Sequence, residues 1–276
     1  MAGAILVFLL LAGTTYQGVA TALERRTFRH PGRMVNAVGH QLHISCSGAG
    51  SPTVVLEAGA AGMSAAWGWV QPRIAEVTRV CSYDRAGLGW SETGDVPYDP
   101  AAVAPALSAL LDHAGEHPPF VLAGQGLGTA FSTLYASNFP DQVASLVLID
   151  PPADAARQAT GTSTRLVNAS PWLARAGVLR ATGIMSRKAA GLPAPFAGTL
   201  SAFLNRPDHL TRAASEFSRW DEALALAGGA PLREGLTVIR VEAGGPDKVA
   251  FLTGRADAAM AEAAVLDAVA RIRSGR

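Results

Sequence analysis

A mostly parallel β-sheet covered by helices on both faces is the fold class this sequence predicts, and two observations carry the prediction. First, short runs rich in Val, Ile and Leu, such as "PTVVLEAG" and "VASLVLID", alternate with helix-length segments. Strands buried on both faces and separated by helices belong to parallel sheets. Second, "FVLAGQGLGTAF" (Phe120 to Phe131) reads as a buried strand, a sharp glycine-rich turn and the start of a helix. At 276 residues the chain is long enough for one large domain, which is favoured over two small ones.

The elements follow in order. "GRMVNAVGHQLHISCSG" reads as two short strands turning at Gly39-His40, an antiparallel edge to the sheet. "PTVVLEAG" is a third strand, "WGWVQPRIAEV" is helical in pattern, and "RVCSYD" is a fourth strand. "AAVAPALSALLDHAG" is a helix stopped by Gly115, "FVLAG" the fifth strand, "LGTAFSTLYASNF" its helix and "VASLVLID" the sixth strand. From Pro151 to about Leu232 the rhythm stops. "STRLVNASPWLARAGVLRATG" and "LTRAASEFSRWDEALALAGG" read as helices of an insertion over the sheet, with "GLPAPFAG" a loop between them. "LTVIRVEAG" resumes a strand, and "RADAAMAEAAVLDAVARIR" is a C-terminal helix of strong helix formers. "KVAFLTG" is a further strand candidate, but only Gly245 to Lys248 separate it from its predecessor. A parallel crossover needs roughly a dozen residues, so the pair forms a hairpin or "KVAFLTG" is no strand.

Composition narrows the partners. The hydrophobic fraction is 49%, the charged fraction 16% and the net charge +1, without a dense basic block, so no nucleic-acid footprint is expected. Ala2 to Leu23 lacks charge and is dense at "AILVFLLLAG". That length suits a bilayer span, which needs about 20 apolar residues. The small-residue pattern Ala20-Thr21-Ala22 also suits a cleaved signal, although no basic residue precedes the apolar run and Arg25-Arg26 follow it. Residues 1–24 are therefore read as a membrane anchor, with a signal peptide as the alternative. A membrane-associated or exported protein is expected either way. The two cysteines, Cys46 and Cys81, both lie in strand candidates; a bridge, if those strands are neighbours and the domain is exported, and two buried thiols are both open.

Three stretches together resemble the α/β-hydrolase family: "PTVVLEAG", "YDRAGLGWS" (Tyr83 to Ser91) in the pattern D-x-x-G-x-G-x-S, and "LAGQGLGTAF…YASNFPDQVASLVLID". The likeness is close from Met34 to about Asp150 and looser beyond. The leader, "HISCSG" and "TRVCSYDRAGLGWS" resemble membrane-anchored members. The resemblance implies a hydrolase domain over residues 30–276 with a helical cap at about 151–232 and an abbreviated C-terminal part, native or from a broken reading frame. It also implies oxyanion-hole-like amides at Gly59, Ala60 and Leu127.

The same resemblance exposes two departures. The family presents its nucleophile in G-x-S-x-G, and here the frame is Gly124-Gln125-Gly126-Leu127-Gly128. Gly126 stands at the nucleophile position, where glycine relieves backbone strain and removes the hydroxyl. Ser82, Ser91 and Ser132 lie off the turn. The base should follow the last strand, yet the histidines are His30, His40, His43, His113, His117 and His209, and none follows His209. His113 and His117 are expected on one helix face at the surface. Asp150, Glu242 and Asp247 remain as weak candidates for the acid. Loss of the nucleophile alone costs about 10⁶ in turnover in triad hydrolases, roughly as much as losing the whole triad. The expectation is thus a family member that is inactive or strongly impaired, with a binding or scaffold role. It needs no cofactor or metal, and its partners are a small apolar or carbonyl-bearing ligand and a membrane. Trp172, Leu173, Phe196, Phe203 and Trp220 are candidates to roof an apolar cavity. The alternative is an active hydrolase of small ester-type substrates, using an unconventional nucleophile or water activated by Asp84 or Asp150.

Overall fold

The computed structural model describes residues 1–94, 97–152, 164–242, 252 and 254–275. Among these, seven strands form one sheet in the order β1-β2-β4-β3-β5-β6-β7. The strands are β1 (Arg33–Ala37), β2 (His40–Ser47), β3 (Thr53–Glu57), β4 (Val80–Tyr83), β5 (Phe120–Gln125), β6 (Val143–Ile149) and β7 (Thr237–Val241). β1 and β2 pair antiparallel, β2 meets β4 antiparallel, and every pairing from β4 through β3, β5 and β6 to β7 is parallel. The hairpin turns at Val38-Gly39, one residue earlier than expected, with both residues at positive φ.

Strand alternation divides the core. Val55, Leu122 and Leu146 face helices α3 (Val103–His113) and α4 (Gly128–Asn138), which bring Leu107, Leu110 and Phe131. Their neighbours Val54, Val121 and Val147 face α2 (Val70–Ala75) and the C-terminal helix Arg255–Arg273, which bring Ile74, Val265 and Val269. Both sheet faces are therefore dry, which explains the near-continuous apolar runs in the sequence. α3 ends at His113, so His117 lies beyond the helix and does not share its face. Trp67 is buried in a short 3₁₀ turn before α2.

Between β6 and β7 lies a layer of helices: α5 (Thr164–Arg175), α6 (Val178–Thr182), α7 (Ala194–Phe203), α8 (Pro207–Ser218) and α9 (Trp220–Gly228). The expected loop "GLPAPFAG" instead runs into α7. Pro193 is the residue before that helix and Pro195 sits in its first turn, where a missing N–H costs nothing. The aromatic roof is also corrected. Trp172 is 71% exposed, Trp220 stacks on Phe217 beside α4, and Phe203 is buried among Met63, Leu200 and Leu204. Of "KVAFLTG" only Leu252 and Gly254 fall within the described residues, and Asp247 lies outside them.

The N-terminal helix α1 (Ala2–Thr27) is long and apolar enough to cross a membrane by length and composition. Its outer surface exposes Ile5, Phe8, Leu9 and Leu11. Its second half docks on the helical layer. Gln17 is buried and donates to the Asn205 carbonyl at 2.8 Å, while Arg180 donates to Gln17 at 2.9 Å and to Glu24 at 3.0 Å. Cys46 and Cys81, directly opposite in β2 and β4, are joined in a disulfide.

Candidate functional site

The turn between β5 and α4 is built from close approaches. A Cβ on Gly124 would lie 2.5 Å from the Gly128 carbonyl oxygen, and one on Gly128 would lie 2.7 Å from the Ala58 carbonyl. Only glycine lets the helix, the strand and the loop after β3 come together. Gly126 differs. Its φ is +55°, and a Cβ there would meet only Gly59 Cα, at 3.9 Å. The Gly126 amide donates to Ile149 O at 2.9 Å, and its carbonyl accepts from the Thr129 hydroxyl at 2.7 Å. The position therefore has left-handed backbone and open space for a side chain, but carries none.

Facing it is the loop Ala58–Gly62. Arg85, 5% exposed, donates to the Ala58 and Gly59 carbonyls at 2.6 and 2.8 Å. The same guanidinium pairs with Glu57 at 2.5 Å and Glu216 at 2.7 Å. Glu216, on α8, also accepts from the Ala61 amide at 3.2 Å. Tyr83 donates to Glu57. Burial pushes the Glu57 carboxyl above its usual range, against the pull of Arg85 and the Tyr83 hydrogen bond. With their carbonyls captured by Arg85, Ala58 and Gly59 are fixed, and Ala61 is held at φ +56°. The amides of Gly59, Ala60 and Leu127 donate to no acceptor among the described residues.

The histidines are elsewhere or engaged. His209 is buried on α8; its Nδ1 accepts from the Gly89 amide at 3.0 Å, which leaves Nε2 to donate to the Ala61 carbonyl at 3.0 Å. Both nitrogens are thus used on backbone, and burial pulls this imidazole below its usual range, with the Ala61 hydrogen bond opposing. His43 contacts Asp84 through Nδ1 at 3.0 Å, and Ser64 Oγ lies 3.4 Å from the same nitrogen. A working triad places its acid and nucleophile on opposite ring nitrogens, so Ser64, His43 and Asp84 do not make one. His43 is fully buried and its Nε2 has no partner among the described residues. His113 bonds the Asn36 carbonyl, His30 the Gly32 carbonyl, and His117 is exposed.

Asp84 is also spoken for. It accepts from the Ser64 amide at 2.6 Å and the Trp90 amide at 2.9 Å besides meeting His43. Burial acts to raise its pKa, but His43 and these amides outweigh it and hold the carboxyl below its usual range. Asp150 directly follows β6, is buried at φ +48°, and donates its amide to Val241 O at 2.8 Å. Glu242 directly follows β7 and is exposed. Ser132 is buried behind the turn. Sequence reasoning missed Ser64, Glu57, Arg85 and Glu216. Arg85 stands in the "YDRAGLGWS" loop, but its partner Glu216 lies 131 residues away and carries no local signature. Glu116 lies close to the Cys46–Cys81 bridge, but bonded sulfurs are not thiolate ligands and Glu116 is paired with Arg79.

Residues 52–175 match the family model of the alpha/beta hydrolase fold. This is an α/β-hydrolase-fold protein. Over 121 residues (43% of this chain) it is 32% identical to a 2-hydroxy-6-oxo-2,4-heptadienoate hydrolase of Pseudomonas putida, covering 44% of that relative. Over 129 residues (40% of this chain) it is 30% identical to an uncharacterized vacuolar membrane protein of Saccharomyces cerevisiae, covering 20% of it. The chain thus spans less than half the length of these curated relatives. Among solved structures, haloalkane dehalogenase DbeA from Bradyrhizobium elkani superposes with a TM-score of 0.63 at 20% identity, over 88% of this chain and 99% of that one. The epoxide hydrolase CorEH superposes with 0.63 at 17%, over 87% and 99%. Likeness at that identity speaks for the fold.

Proposed function

We propose that this α/β-hydrolase-fold protein does not run the nucleophile–histidine–acid reaction and instead binds a small apolar or carbonyl-bearing ligand. The observation that carries this reading is Gly126. The backbone there has the left-handed angle of an elbow and room for a side chain, yet the residue has none. The bases fail alongside it, since His209 spends both nitrogens on backbone. What persists is the means to bind. The amides of Gly59, Ala60 and Leu127 are the donors an oxyanion or ligand carbonyl would use, and the Arg85–Glu216 clamp holds the loop that carries the first two.

A fluorophosphonate probe, which reacts with activated serines, is expected to leave the purified protein unlabelled. Gly126→Ser alone is expected to give no esterase turnover, for lack of a base. Labelling abolished by denaturation, or robust turnover by that variant, would overturn the reading.

A second reading is favoured by one observation, the strained backbone of buried Asp150, because strain concentrates at functional sites. Here Asp150 activates water for hydrolysis of a small ester-type substrate, with the Pseudomonas hydrolase as the relative that suggests such chemistry. Asp84 is not a candidate for that task, with its carboxylate fully engaged. Any esterase activity lost in Asp150→Asn would favour this second reading.

The protein is also proposed to be membrane-associated through a retained α1. Gln17 supports this, because cleavage after Ala22 would strip Arg180 and Asn205 of it. The Cys46–Cys81 bridge favours an oxidising compartment.

A further inference from the structure

A cavity of about 680 Å³ lies on the β1–β2 side of the sheet, framed by the hairpin turn, the loop after β4 and the start of α3. It shares no lining residue with the Ala58–Gly62 loop or the Gly124–Gly128 turn. Most of its wall is apolar, with Leu42, Ala86, Val103 and Ala106 among it. Tyr83, Arg85, Glu92, Thr93 and Asp99 also line it, and so do three more polar side chains, Arg212, Tyr98 and His40. In each of these three a buried polar atom has no partner among the described residues: Arg212 Nε, the Tyr98 hydroxyl and His40 Nε2.

Arg212 decides the chemistry. It is 8% exposed, donates through Nη2 to the Thr93 carbonyl at 3.0 Å, and sits 5.2 Å from the Tyr98 ring centroid. Among the described residues no carboxylate lies within 4 Å of it, unlike Arg85, which has two. A buried guanidinium without a carboxylate is costly, and an anion relieves the cost. The carboxylates nearby are committed elsewhere. Glu92 and Asp99, exposed on the cavity wall, accept from the Gln41 and Ala101 amides, and Glu216 is held by Arg85 and Ala61. Arg85, the other cation of this wall, is compensated by Glu57 and Glu216. The single uncompensated cation suits a monoanion with a hydrocarbon body, whereas a phosphate dianion would stay half-compensated. The volume is that of pockets holding ligands of drug size.

We propose that this cavity is a binding site for an organic monocarboxylate, its carboxylate on Arg212 and the Tyr98 hydroxyl and its apolar body against Leu42, Val103 and Ala106. The proposal stands on this cavity and does not depend on whether the elbow is active.

The test is calorimetric titration of the full chain with octanoate, and with 1-octanol as the neutral counterpart of equal length. Octanoate is expected to bind saturably at one site, and octanol at least about tenfold more weakly, the usual range for a charge-assisted hydrogen bond. Arg212→Gln should weaken octanoate by about tenfold or more, Arg212→Lys should restore most of the affinity, and Tyr98→Phe should weaken it about two- to tenfold. Equal binding of octanol, unchanged affinity in Arg212→Gln, or no saturable octanoate binding each overturns the proposal. If Arg212→Gln fails to fold, the octanoate–octanol contrast and Tyr98→Phe decide the matter.

Discussion

The two loops that face each other across the elbow are held by opposite means. The Gly124–Gly128 turn is held by the absence of side chains: two of its glycines are demanded by contacts, and the third sits in open space. The Ala58–Gly62 loop is held by charge. Arg85, Glu57 and Glu216 are all buried, and each finds partners in the others or in the loop backbone. The difference separates architecture from chemistry. A missing side chain at Gly126 leaves the glycine turn intact, whereas the removal of one charge from the facing loop leaves the others stranded in a dry interior.

The largest effect should therefore come from the charged side. Glu216→Ala is expected to destabilise the fold by about 3–5 kcal/mol in denaturant unfolding, the usual cost of leaving one partner of a buried pair uncompensated. A loss below about 1 kcal/mol would mean that the network contributes little and that the contrast between the loops is false. Next is the bridge. Reducing Cys46–Cys81, which are 35 residues apart in sequence, should lower stability by about 2–4 kcal/mol by freeing the unfolded chain. That step tests whether the antiparallel edge depends on a covalent tie that neither loop uses.

The glycine turn makes its own internal contrast. Gly128→Ala should cost about 1–3 kcal/mol from overpacking against the Glu57 and Ala58 carbonyls. Gly126→Ala should cost about 1–2 kcal/mol, arising only from the left-handed backbone. Equal m-values with unequal midpoints would show it. A Gly126→Ala loss well above about 2 kcal/mol would mean that the space over Gly126 is not open.

The smallest effect concerns pH. Because the folded pKa of His209 lies below its ordinary value of 6.5, its contribution to stability is complete above that pH and is lost as pH falls through the folded value. Glu57, raised from 4.5, acts in the opposite sense, its contribution complete below pH 4.5 and lost as pH rises through the folded value. Asp84, lowered from 3.8, acts in the same sense as His209. Stability should thus decline on acidification below about pH 6.5, and His209→Gln should flatten that decline. An unchanged pH profile in the variant would place the sensitivity in another group.

How much of this was legible depended on the range of the interaction. The strands β3 to β6 and the turn after β5 announce themselves locally, because burial on both faces produces continuous apolar runs and close approach produces glycine. Gly126 was readable only through the frame that its close-packed neighbours Gly124 and Gly128 set, since no contact demands a glycine there. The bridge was not, since whether Cys46 faces Cys81 depends on the register of β2 against β4. α7 was misread because its prolines resemble breakers unless the helix start is known. The clamp on Ala58–Gly62 was invisible, because a glutamate on α8 gives no sign that an arginine 131 residues earlier lies beneath it.

The placement of Glu216 and His209 has one more effect. Both belong to α8, and both grip Ala61, one by its amide and the other by its carbonyl. Lifting that helix to admit a guest would let go of the very residues that aim the waiting N–H groups. Under the proposed ligand-binding role, admission and recognition would be mechanically the same event: a guest would slip beneath a closed helix, or enter while the Ala61 contacts are briefly broken and then help to restore them.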